Sequence, residues 1–129
     1  MFNTKIALPL ANGYEFASIH EVMRCQAEGN YTRFYFIDGR EVLVSKNLGH
    51  FEKILTGHFF VRIHRTHLIN LAHLKGYIRG QGGYAIMTDN VQLEISNQKK
   101  QAFLDCLPIH GTFCPENFLR TVKNSKKSA

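Results

Sequence analysis

The stretch YTRFYFIDGREVLVS, residues 31–45, leaves the chain little conformational choice. Thr32, Phe34 and Phe36 fall on one side, and Tyr31, Arg33 and Tyr35 on the other. A period of two is that of a strand, because successive side chains point to opposite faces of the pleat. Aromatic and β-branched residues suit such a half-buried surface. Asp38-Gly39 is a hairpin turn signal, and REVLVS supplies the returning strand. An isolated hairpin is marginal in water, so the rest of the chain must add strands and cover its apolar face.

The flanking sequence does so in short pieces. TKIALPL, 4–10, alternates Ile6, Leu8 and Leu10, and Pro9 restricts it to an edge or a strand end. Ala11-Asn12-Gly13 turns the chain and YEFAS returns it. SIHEVM reads as one helical turn with a Ser18–Glu21 capping box, and VMRCQAE as a strand. NLGHFEKIL switches to helical spacing: Asn47 caps it, Leu48, Phe51, Ile54 and Leu55 face one way, and Gly57 ends it. Phe60 to His64 is a strand, with Phe59, Phe60, Leu68 and Ile69 as core. A helical turn is expected within RTHLINLAHL, and strands at HLKGYIRG, YAIMT and VQLEI. Ser96 or Asn97 caps a last helix to about Leu107, with Ala102, Phe103, Cys106 and Leu107 on its apolar face and Pro108 as its stop. About ten short strands with turn signals every 8 to 12 residues, plus two or three short helices, predict an all-β, mainly antiparallel fold. The absence of βαβ alternation argues against a Rossmann or receiver-type sheet.

The 129 residues suit one domain with a real core, here 1–107, followed by a partly flexible C-terminal extension over 108–129. No apolar run approaches the roughly 20 residues a membrane span needs, and charged residues interrupt the first 30. Cys25, Cys106 and Cys114 are odd in number and form no CxxC pair, as expected of buried thiols in a reducing compartment. The expectation is a cytoplasmic protein without membrane contact.

Sixteen Lys and Arg against ten Asp and Glu give a net charge of +6. Residues 98–129 carry six basic and two acidic groups, so +4 of the excess lies there. That balance favours polyanion partners. His64, His67 and His73 offer three imidazoles, but no Cys or carboxylate nearby completes a zinc set. No nucleophile elbow, carboxylate pair or phosphate loop is present, and GQGGY at 80–84 does not match GxGxxG. The sequence gives no reason to expect an enzyme, a metal or a cofactor.

Basic and amide groups collect at three separated places, each where a strand meets a turn. They are AEGNYTR (Asn30, Tyr31, Arg33), RIHRTH (Arg62, His64, Arg65, His67) and SNQKK (Asn97, Gln98, Lys99, Lys100). Arg reads guanine with two hydrogen bonds and Asn or Gln reads adenine, while Lys and helix N-termini hold phosphate. A nucleic-acid surface, a protein-interaction module and, more remotely, a histidine metal site all remain open on composition.

Three blocks in order narrow this: EGNYTRFYFIDGREVLVSKNLGHFEKIL, FFVRIHRTHLINLAHLKGY and LEISNQKKQAFLDCL. Together they resemble the LytTR-type DNA-binding domain of bacterial transcription regulators. The second block is the most distinctive, with phenylalanine, arginine, a spacer, histidine and a terminal L-I-N. The resemblance covers roughly residues 5–107. It implies antiparallel sheets that insert loops into successive major grooves on one face of double-stranded DNA, and binding to paired direct repeats. It also implies use as the output domain of a two-component response regulator.

Carried over by position, the resemblance places base contacts at Asn30, Tyr31, Arg65, Ser96 and Asn97. Arg33, Arg62, His64, His67, Lys99 and Lys100 then serve DNA backbone contact or loop support, and Asn70 fixes a turn. Two positions depart from the family pattern: Asn97 where an arginine often follows the serine, and Thr66 where a serine follows the histidine and its spacer. No receiver domain precedes residue 5, so the expectation is a stand-alone regulator or the output half of a longer one. Partners implied are duplex DNA, a second copy on DNA and a regulatory protein.

Overall fold

The structure is a computed structural model, and it describes residues 4–107. The expected extension over 108–129, with Pro108, Phe113, Cys114, Phe118 and Leu119, lies outside the described residues. Ten strands, two α-helices and two single 3-10 turns follow one another. Every strand pairing is antiparallel.

The hairpin at 31–45 forms two strands of a five-stranded sheet, β4 (Tyr31–Phe36) and β5 (Glu41–Val44). With β3 (Val22–Glu28), β6 (Phe60–His64) and β7 (His67–Asn70) the order is β5-β4-β3-β7-β6. The face assignment of β4 holds, with Thr32, Phe34 and Phe36 buried and Tyr31 exposed. The Asp38-Gly39 turn is a three-residue loop over 37–39: Gly39 N–H donates to Phe36 O at 3.0 Å and Gly39 has φ 92°. That is a type I turn closed by a left-handed glycine.

A separate two-stranded hairpin, β1 (Lys5–Leu10) with β2 (Gly13–Ser18), lies over one face. It shares that face with helix α1 (Leu48–Leu55). On the other side stand β8 (Leu74–Ile78), β9 (Tyr84–Met87), β10 (Gln92–Glu94) and helix α2 (Asn97–Asp105). Alternation along the central strands therefore feeds two cores. Val22, Cys25, Phe60 and Leu68 join Phe34, Phe51 and Leu8 in the first cluster. Met23, Ile63 and Ile69 join Met87, Ile95 and Phe103 in the second. Phe34 and Phe51 meet edge-on at 4.8 Å, worth roughly 0.5–1.5 kcal/mol beyond area burial.

Helix signals were mostly sound. Asn47 Oδ1 caps α1 by accepting from His50 N–H at 2.9 Å, and Gly57 follows its end with φ 91°. Ser96, not Asn97, is the N-cap of α2. Three expectations fail. Ser18 makes no side-chain cap bond, because the turn Ile19–Glu21 is a single 3-10 turn that runs straight into β3. Ile54 is 42% exposed. At 100° per residue it falls roughly 90° from the centre of the buried stripe of Leu48, Phe51 and Leu55. Ala102 is exposed too, and Leu104 takes its place beside Phe103. The turn expected within RTHLINLAHL is the 3-10 segment Leu71–His73. Phe59, Phe60, Leu68 and Ile69 are all buried.

Candidate nucleic-acid interface

Sheet order decides where the three polar clusters go. The β3–β4 connection is the two-residue loop Gly29-Asn30, closed by the Glu28–Tyr31 pair. Gly29 takes φ 61° at the first central position, as a type II′ turn requires. The β6–β7 connection is Arg65-Thr66, closed by the His64–His67 pair. Strands β3 and β7 are neighbours with Gln26 opposite His67, and Ala27 N–H donates to Thr66 O at 2.9 Å. Both turns thus emerge side by side from one end of the sheet. The third cluster arrives from the other lobe. Ser96 N–H donates to Ile63 O at 2.9 Å, which seats the α2 N-terminus against the end of β6. An open cleft lined by Arg62, His64, Arg65, Ser96, Gln98 and Lys99 results.

The cationic side chains in this region divide by what they hold. Arg65 is exposed, and its guanidinium makes no hydrogen bond or ion pair among the described residues. Arg62 is the opposite case. Its Nε donates to His64 O at 3.0 Å, its Nη1 to Glu52 Oε1 at 2.6 Å and its Nη2 to Arg65 O. Arg33 is bound to Glu28 at 2.5 Å and lies 3.5 Å from Glu41. That hydrogen bond holds the Glu28 carboxyl below its ordinary range. Lys99 lines the cleft, and Lys100 reaches Gly80 O at 3.5 Å.

The three histidines serve different ends. His64 Nδ1 accepts from Thr66 N–H at 3.2 Å and lies 2.9 Å from the Thr66 hydroxyl, which fixes the turn and leaves the ring proton on Nε2. The His67 ring lies 5.5 Å from that of His64, tilted by 46°, with its Nδ1 buried and unpartnered among the described residues. Burial first, then the charges of His64 and Arg24, push its pKa down to about 4. It is neutral at physiological pH, so it supports the loop without adding a charge. His73 donates to His20 O at 2.7 Å, in the 3-10 turn that follows β7. Among the described residues no three His, Cys, Asp or Glu side chains gather where a metal could sit.

Asn70 is buried and ties two segments together, Nδ2 donating to Val22 O at 2.9 Å and Oδ1 accepting from Ala72 N–H at 3.0 Å. Asn30, Tyr31 and Asn97 are exposed. Ser96 Oγ accepts from Lys99 N–H at 3.3 Å and so caps the helix that carries it. Residues 12–107 match the family model of the LytTr DNA-binding domain.

The chain belongs to the LytTr DNA-binding domain family.

Over 85 residues the LytTr chain is 27% identical to the CO-responsive transcriptional regulator RcoM of Rhodospirillum rubrum. The match takes in 66% of this chain and 36% of that protein, so the chain spans about a third of that relative's length. A LytTr DNA-binding domain from Bacillus cereus, in a protein described as a methyl-accepting/DNA response regulator, superposes with a TM-score of 0.67 at 20% identity. That superposition covers 78% of this chain and 93% of the other and shows the shared fold. No helix among the described residues of this LytTr chain is long and apolar enough to cross a membrane.

Gln98, already grouped with the SNQKK cluster in the sequence, lines the cleft with Arg65. Glu52, on α1, reaches the β6–β7 turn through Arg62 and had no local signal.

Proposed function

We propose that this chain recognises a specific duplex DNA sequence and regulates transcription by doing so. The two turns and the α2 N-terminus enter successive major grooves on one face of the duplex. Asn30, Tyr31, Arg65, Ser96 and Asn97 contact bases. Lys99 and Lys100 contact phosphate, while Arg33, Arg62, His64 and His67 hold the loops. Residues 1–107 form the binding domain and 108–129 an appended basic segment. Two copies sit on paired direct repeats.

The observation that carries this reading is the Ser96–Ile63 backbone bond. It joins two polar clusters about thirty residues apart in sequence into one cleft, beside an Arg65 guanidinium that no carboxylate among the described residues neutralises. A free arginine in a fixed turn suits bidentate base readout. A structural basic turn would pair its cation, as Arg62 and Arg33 do.

Selection from a random duplex library at physiological salt tests it, with residues 1–107 and the full chain in parallel. Enrichment by both of direct repeats about one helical turn apart is the expected result. Binding by the full chain alone, with nothing enriched, would reduce the interaction to phosphate attraction by the basic segment.

A further inference from the structure

We infer that Glu52 is a positioning residue for base recognition, acting through Arg62 on the β6–β7 turn. The inference rests on the reading of that turn as the carrier of a base-contacting Arg65.

The guanidinium of Arg62 is a planar fork of fixed donors. Two of its nitrogens hold the carbonyls of His64 and Arg65, the peptide oxygens immediately before and after the Arg65 Cα. The third contact is to Glu52 Oε1 at 2.6 Å. Anchoring one nitrogen sets the direction of the other two, so Glu52 aims the fork at the turn. Glu52 is itself placed by α1, which is locked down by Leu48, Phe51 and Leu55 in the first core. The turn is therefore referenced to the hydrophobic core by a chain of three contacts, without Glu52 approaching DNA.

Removal of the carboxylate would release the fork. Arg62 lines the same open cleft as Arg65 and Lys99, and its side chain is 18% exposed. Without Glu52 its nearest strong anion on DNA binding is a phosphate, and pairing with that would draw it off the two carbonyls. Electrostatics and positioning then predict opposite signs. Loss of one negative charge beside the interface strengthens attraction to any DNA. Loss of aim weakens binding to the preferred site only.

The test uses the full chain, the site enriched from the random library and a scrambled duplex of equal length. For Glu52→Gln the expected result is a loss on the order of tenfold in affinity for the preferred site. Affinity for the scrambled duplex should be unchanged or higher, and thermal stability should match that of the unaltered chain. Equal gains on both duplexes, or no change on either, would overturn the inference. Arg62→Lys keeps the charge and loses the fork, and provides the second reading if Glu52→Gln is poorly folded. It should lower the ratio of specific to scrambled binding in the same way, and an unchanged ratio would also overturn the inference. Failure of the unaltered chain to prefer any duplex would instead remove the functional reading on which this rests.

Discussion

Lowering the pH should destabilise this fold through one ring, His67. Its Nδ1 is buried without a partner among the described residues, the His64 ring lies 5.5 Å away, and the Arg24 cation adds repulsion. Its pKa therefore falls from 6.5 to about 4 in the folded chain. The unfolded chain binds a proton near pH 6.5, and the folded chain resists it until about pH 4. Stability from the neutral ring is thus fully present above 6.5 and lost progressively as the pH falls toward 4. The steepest slope one such group can give is about 1.4 kcal/mol per pH unit. The ring is partly exposed, and solvent screening reduces the whole effect to on the order of 1–2 kcal/mol. Urea unfolding midpoints between about pH 7 and about pH 4.5 measure it, with His67→Gln as the non-titrating control. The lowered carboxyl of Glu28 acts on both proteins alike, and lower on the pH scale, so it cancels in the comparison. The variant should lose less stability than the unaltered chain over that range. Parallel profiles would refute the claim that His67 is held neutral by its surroundings.

Three further outcomes are expected. A methyl group at Gly82 would lie 1.8 Å from Ile95 O, a backbone atom beside the α2 cap, so Gly82→Ala should cost about 3 kcal/mol or more in urea unfolding and weaken DNA binding as well. Asn70→Ala leaves Val22 O and Ala72 N–H without their side-chain partner and should cost about 2–3 kcal/mol, read by the same assay, with Asn70→Asp restoring only the bond to Ala72. In binding titrations Arg65→Ala should relax preference at one base position, worth about 1–3 kcal/mol, whereas Lys99→Ala should weaken all duplexes alike and lower the salt slope by about one unit.

Most strands were legible from alternation, but β7, His67–Asn70, was not, because three of its four residues in a row are buried between two cores and carry no period of two. Phe34 and Phe36 alternate with Arg33 and Tyr35, and no other structure satisfies that pattern. The capping residues Asn47 and Ser96 were legible for a local reason as well, since each bonds an amide three residues away. What failed depended on neighbours. Whether Ile54 or Ala102 is covered is decided by which strand lies against the helix, and spacing along one helix does not carry that. The site divides in the same way. The exposed candidates, Asn30, Tyr31, Arg65 and Asn97, announce themselves as polar residues at turns or at a helix start. The difference between Arg62 and Arg65 does not, because both are arginines of one short block. It appears only when Glu52, ten residues upstream on another element, is brought within 2.6 Å of Arg62.

The β3–β4 and β6–β7 turns contain two residues and no more, and a backbone bond from Ala27 to Thr66 links the strands behind them. An inserted residue in either turn would shift the register of a strand whose two faces feed separate cores, moving Met23 and Cys25, or Leu68 and Ile69, to the wrong sides. The paired strands therefore constrain the length of both turns. On the proposed reading, retargeting this protein to a new DNA sequence is a problem of side-chain identity at a handful of positions, and libraries for that purpose should vary residues 30, 65, 97 and 98 while leaving the spacing untouched.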